Sequence, residues 1–292
     1  MSAKGSSARP LLEVRAGPFT IRGVSLGGVY TSIQVPELGV VFDCGMPIRQ
    51  FAATDHLFLS HGHGDHLGAL PALMGIRGLL HGKAAPKAYM PAPIVDTLRE
   101  ALTAMSKLQR YDLTVDAVPM SPGDEARLRA DLWVRAFRTH HPVPSLGYLF
   151  FDRVQKLREE FRALPGPEIG RRRRAGEDLF TTVERLEFAY ATDTLLRVID
   201  TTPEIREARV LLMECTFLDD RKSLAASRAG CHIHLDELLE RLSDFRNERI
   251  VLMHFSQLYS PREVHRILEA RWPAEHRDRL VVFAPRRGPW PG

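Results

Sequence analysis

His61-Gly62-His63-Gly64-Asp65-His66 places four potential metal ligands within six residues, directly after the apolar run Leu57-Phe58-Leu59. Neutral imidazoles and a carboxylate suit zinc-like ions, and the intervening glycines let the side chains converge without steric conflict. A turn at the end of a buried strand would deliver these groups at one edge of a sheet. Asp65 would then open the next helix, where an acid offsets the positive end of the dipole. A polar loop with incidental histidines accounts for one or two of the four, but hardly for all of them in this order. Further candidates flank other apolar runs: His141 before Pro142-Val143-Pro144, Asp193 after Tyr190-Ala191-Thr192, and His254 after Leu252-Met253. Singly, each reads more naturally as a hydrogen-bonding turn residue. With the first loop they make seven ligands, enough for a pair of ions. Two cations a few ångströms apart hold a hydroxide at neutral pH and neutralise charge developing on a phosphodiester. Asp65, beside that water, can orient it or accept its proton.

Such groups need strands that end together. Strand patterns occupy 29–35, 40–42 and 56–60, then 132–138, 148–151, 188–190, 210–213 and 250–253. Helical patterns run over 94–108, where Leu98, Leu102 and Met105 share a face, and over 236–242 and 262–270. The pattern suggests two helix-covered sheets with polar loops at one edge. A single hydrolase domain is expected over 13–292, with 1–12 as a flexible leader. Residues 152–187 are charge-rich and read as an insertion, which contains Pro165-Gly166-Pro167 and the run Arg171-Arg172-Arg173-Arg174. Of the 292 residues, 44% are hydrophobic and 26% charged, which fits a globular chain with a sizeable core. The net charge is only +4 although the pI is near 9.1, so the basic excess matters where it is local. Cys44, Cys215 and Cys231 show no metal-type spacing, which favours free thiols in a reducing, cytoplasmic setting. No apolar stretch approaches membrane-spanning length.

The chain resembles the metallo-β-lactamase superfamily, whose signature is H-x-H-x-D-H. Within it the sequence is similar to the tRNase Z branch, closest to the plant-type short form. Besides His61 to His66, the resemblance rests on His141 with Ser145-x-Gly147-Tyr148, Asp193-Thr194, Glu214-Cys215-Thr216-Phe217-Leu218-Asp219-Asp220, His232-Ile233-His234 and His254-Phe255-Ser256. It implies an αββα sandwich from about Phe19 to Phe283. It also implies an endoribonuclease that cleaves the 3′ trailer from precursor tRNA, with two Zn2+ per chain (Mn2+ as a substitute). His61, His63 and His141 would bind one ion, Asp65, His66 and His254 the other, and Asp193 would bridge them. Glu214 would orient His232, which would donate a proton to the leaving 3′ oxygen; the simpler alternative for both is capping of local structure. His140 is set aside in favour of His141 by register to Gly147-Tyr148, and His234 is left between local support and substrate contact. Arg171 to Arg174 fall where the family places a tRNA-gripping arm, although a solvated face is the alternative. A homodimer is expected. Leu258 stands where the family commonly has arginine, and Val29-Tyr30-Thr31-Ser32 replaces a Pro-rich, Arg-Asn loop. A small or cyclic phosphodiester therefore stays open as the alternative substrate, and a degenerate RNA-binding scaffold ranks last.

Overall fold

The computed structural model describes residues 11–81 and 84–291. Residues 1–10, most of the expected leader, lie outside them. Strands β1 (Leu12–Ala16), β2 (Phe19–Leu26), β3 (Tyr30–Val35) and β4 (Val40–Phe42) form an antiparallel meander. β5 (His56–Phe58), β6 (Lys87–Pro91) and β7 (Asp116–Met120) then add in parallel. Parallel neighbours need crossovers, and these carry α1 (Gly64–Leu67), α2 (Leu70–His81) and α3 (Val95–Gln109).

The second half repeats this plan. β8 (Glu125–Arg127), β9 (Leu132–Arg138), β10 (Leu146–Leu157) and β11 (Phe180–Ala191) are antiparallel, and β12 (Val210–Glu214), β13 (Arg249–Met253) and β14 (Leu280–Val282) follow in parallel. Helix α4 (Gly166–Arg174) joins β10 to β11, and α5 (Val198–Thr201), α6 (Leu224–Ala229), α7 (Leu235–Glu240) and α8 (Pro261–Arg271) fill the later crossovers. Both sheets have seven strands in unbroken chain order.

Period-two alternation sorts side chains into three cores. On β12, Val210 and Leu212 enter the core between the sheets, whereas Leu211 and Met213 face the helices; on β13, Val251 and Met253 do the former, Ile250 and Leu252 the latter. From the first sheet Val40, Phe42 and Phe58 meet Phe150, Phe188 and Tyr190 of the second, with Phe42 stacked 4.3 Å from Tyr190. Outside the first sheet, Leu73 and Met74 of α2 and Leu98 and Leu102 of α3 cover Leu57 and Ala88. Burying each large apolar side chain contributes about 1.5–3 kcal/mol. The architecture is the expected αββα sandwich.

The 152–187 segment is largely a continuation of two strands. β10 pairs with β9 only as far as Asp152, and β12 joins β11 only from Phe188, yet β10 and β11 stay paired out to Leu157 and Phe180. The result is a two-stranded ribbon tipped by α4. At the other extreme of the chain, Trp290 packs against both helix-covered cores and donates to Tyr259 O at 2.8 Å, while the Tyr30 hydroxyl donates to Pro291 O.

Candidate metal centre

The segments following β5, β9, β11 and β13 converge at one rim of the sandwich. His63 precedes α1, whose single turn carries Asp65 and His66. His61 Nε2 lies 3.0 Å from His63 Nδ1, which lies 3.2 Å from His141 Nε2. In a second group, His66 Nε2 lies 3.2 Å from His254 Nε2 and 3.5 Å from Asp65 Oδ2. Asp193 stands between the groups. Its Oδ1 is 3.3 Å from Nε2 of both His66 and His254, and its Oδ2 is 3.8 Å from His61 Nε2 and 3.9 Å from His141 Nε2. An ion bonded to nitrogen at about 2.0–2.1 Å spaces neighbouring tetrahedral ligand atoms roughly 3.3 Å apart, so the donor atoms have the separations of a coordination shell.

Electrostatics agree. Burial lowers His61 to about 2, with the His66 charge adding to it, and burial likewise lowers His141, so both rings are neutral and offer lone pairs. Burial also opposes a charge on His66, but Asp193 and Asp43 reverse that effect and hold it well above its ordinary value. Despite burial, the surrounding histidines hold Asp193 and Asp65 well below the usual carboxylate range. The carboxylates demand a cation here. The protein alone supplies the His66 proton, whose place a metal at Nε2 would take.

Three of the five candidate ligand rings are aimed from behind. His66 Nδ1 donates to Asp43 Oδ2 at 2.8 Å. His61 Nδ1 lies 2.9 Å from the Ser60 hydroxyl, which itself donates to Asp43 at 2.8 Å. His254 Nδ1 lies 3.1 Å from the Thr216 hydroxyl, which donates to Glu214. With Nδ1 occupied, Nε2 carries the lone pair into the site. Asp43 also accepts from Ser60 N at 2.7 Å and from the Tyr190 hydroxyl at 2.6 Å. Asp43 and Thr216 support the candidate ligands, a position to which sequence reasoning assigned neither. The only signal for Asp43 was a carboxylate ending an apolar strand before Cys44-Gly45.

Backbone strain collects at the rim. Asp43, Asp193 and His254 adopt φ of +56°, +46° and +59°, a region non-glycine residues rarely occupy and which concentrates at functional sites. At Gly45 a Cβ would sit 1.9 Å from Asp65 O, so only glycine lets this segment pass behind α1.

Glu214 and His232 are also brought together. His232 Nδ1 lies 3.1 and 3.2 Å from the two Glu214 oxygens. Thr194 N and Ile233 N donate to the same carboxylate at 2.6 and 3.2 Å. The His232 ring is 5.6 Å from that of His254 and 5.7 Å from that of His141. Burial opposes its protonation, but the Glu214 charge and hydrogen bond outweigh this and push it up to about 9. His234 caps α7: its Nδ1 accepts from Asp236 N, and Glu237 completes a capping box. His140 points away, with Nε2 3.0 Å from the Thr201 hydroxyl. Arg171 to Arg174 do not join the cluster. They end α4 at the ribbon tip, where Arg171 and Arg172 pair with Glu168, Arg172 also with Glu177, and Arg173 lies over Phe180.

The family profile described as Beta-lactamase superfamily domain matches residues 39–255. tRNase Z TRZ1 of Arabidopsis thaliana is 35% identical over 257 residues, which cover 87% of this chain and 91% of that protein. The chain belongs to the tRNase Z family. A chloroplastic tRNase Z, TRZ2 of the same plant, is 32% identical over 84% of this chain and 70% of its own length. Among solved structures, the short-form human tRNase Z aligns with a TM-score of 0.51 at 20% identity, over 86% of this chain and 93% of that one. Zn2+-bound PqqB from Methylobacterium extorquens gives 0.58 at 14% identity, over 94% and 96%. Both share the fold of this tRNase Z family member. Among the described residues, no helix is long and apolar enough to cross a membrane.

Proposed function

We propose that this chain is a zinc-dependent endoribonuclease that removes the 3′ trailer from precursor tRNA, with Mn2+ able to substitute. The reading rests above all on Asp193, whose two oxygens are divided between the His61/His141 and His66/His254 pairs. His61, His63 and His141 would hold one ion, Asp65, His66 and His254 the other, with Asp193 between. When bound, the ions supply a nucleophile at neutral pH and neutralise charge on the scissile phosphate. Gly28 N donates to Asp65 Oδ2 at 3.0 Å, which fixes the carboxylate so that its other oxygen can orient the attacking water and take its proton. Glu214 holds His232 by Nδ1, leaving Nε2–H to protonate the departing 3′ oxygen. The relatives' names, tRNase Z among them, support the substrate.

A second reading, a small phosphodiester, draws on the arm, where Arg171 and Arg172 are already ion-paired within α4 and its flank. One comparison separates the two: cleavage of a 3′-extended precursor tRNA, with product ends mapped, against hydrolysis of a chromogenic phosphodiester. Cleavage at a single position after the acceptor stem is the result expected. An intact precursor alongside rapid hydrolysis of the small ester would overturn the proposal.

A further inference from the structure

The proposed cleavage breaks the bond between phosphorus and the 3′ oxygen, forms a new bond from water oxygen to phosphorus, and passes the His232 Nε2 proton to the departing oxygen. The nucleotide that keeps this oxygen must therefore lie against His232. Beside His232 stands Phe217, with its backbone pinned: its N–H donates to Ile233 O at 3.3 Å, and Leu235 N donates to its carbonyl at 2.8 Å. The half-buried Phe217 ring is 6.1 Å from the His232 ring and nearly perpendicular to it, at 77°. The Lys222 ammonium lies 5.5 Å from the centre of the Phe217 ring. Nearby Arg221, Arg228 and Arg271 are all ion-paired. Among the described residues, no carboxylate forms an ion pair with Lys222. An aromatic ring held rigidly beside the proton donor, with a cation that has no carboxylate partner at the same ring, is the combination that binds a single-stranded nucleotide: the ring stacks a base and the cation meets its phosphate.

We propose that Phe217 and Lys222 form the subsite for the unpaired nucleotide immediately 5′ of the scissile phosphate. Phe217 stacks its base, and Lys222 meets the phosphate on its 5′ side. This rests on the endoribonuclease reading and adds to it which nucleotide is read and by which residues. It explains how a site that reads no sequence through the metals finds the junction between a stem and a trailer, since only an unpaired base there is free to stack.

The test compares kcat/KM on two precursor tRNAs, one natural and one abasic at that nucleotide, for the wild type and for Phe217→Leu, Phe217→Tyr and Lys222→Gln. On the natural precursor Phe217→Leu is expected to lose about ten- to a hundredfold, the scale of one lost base–aromatic stack. Phe217→Tyr keeps a ring and should restore most of that loss. The abasic precursor should cost the wild type a similar factor and leave Phe217→Leu unaffected. Lys222→Gln should reduce the salt dependence of binding by roughly one unit of slope. If Phe217→Leu loses as much on the abasic precursor as on the natural one, the ring merely props His232 and the subsite is wrong. If the wild type cleaves both precursors equally well, the subsite is likewise wrong while the endoribonuclease reading stands. A wild type that leaves the natural precursor intact overturns that reading, and the subsite with it.

Discussion

His232 and Asp43 separate two kinds of contribution at the level of single residues. In the proposed mechanism His232 is the proton donor, so His232→Ala should lower turnover on precursor tRNA by about two to four orders of magnitude, the range for lost general acid–base catalysis. Metal content, read by elemental analysis, should stay at the wild-type level; a lost ion would make His232 a ligand instead. The sign of the pH effect follows from its role. An acid works only while protonated, and Glu214 raises His232 to about 9 in the protein alone. Two bound cations would pull that value down, so kcat should fall on an alkaline limb at or below about 9. Glu214→Gln, which removes the supporting charge, should move the limb to lower pH, and His232→Ala should abolish it. Asp43 is buried and would act on bound ions through His66 and, by way of Ser60, His61. Asp43→Asn should therefore weaken metal affinity by about 10–100-fold, the usual cost of losing such a partner. Competitive titration with a chromogenic chelator measures it. Unchanged affinity with lower turnover would give Asp43 some other task.

Among the elements, the ribbon of β10 and β11 has the least in common with the rest of the sheet. If its tip grips RNA, replacing Arg171 to Arg174 with alanine should weaken precursor binding and flatten its salt dependence by roughly one unit of slope per lost phosphate contact. Exposed ion pairs such as Arg171–Glu168 contribute only about 0–1 kcal/mol, so RNA phosphates can displace them. Equal binding by the variant and the wild type across a salt titration would leave the arginines as a solvated face. The same element shows what a sequence can and cannot reveal. The arm is legible as a change in composition, but its form is not, because strand pairing past Asp152 depends on partners from Glu184 back to Phe180, across the whole intervening segment. Strands β12 and β13 were readable because both faces are buried and their runs are continuously apolar. β7 carries Pro119, β8 is largely exposed, and β14 has three residues, so these edge strands give weak signals. Among site residues, His61 to His66 announced themselves by adjacency. Asp43 and Thr216 act through partners that only the fold supplies.

At the scale of the whole molecule, the two halves share one plan, four antiparallel strands followed by three that add in parallel, and neither contains a complete set of ligands. Ions bound across them would stabilise only the folded state. A chelator should therefore lower the thermal midpoint by several degrees and zinc should restore it, as scanning calorimetry would show; a midpoint indifferent to metal would place the ions outside this interface between halves. Ligand order has one more consequence. His66 and His254, whose Nε2 atoms stand 3.2 Å apart, are separated by 188 residues. At about 5–20 residues per second, a ribosome takes roughly 10–40 s to travel between them. Throughout that interval the nascent chain presents its histidine loop without the partners that close the shell. If these residues hold the metal, stable capture would be a late event of biosynthesis, timed by the arrival of His254.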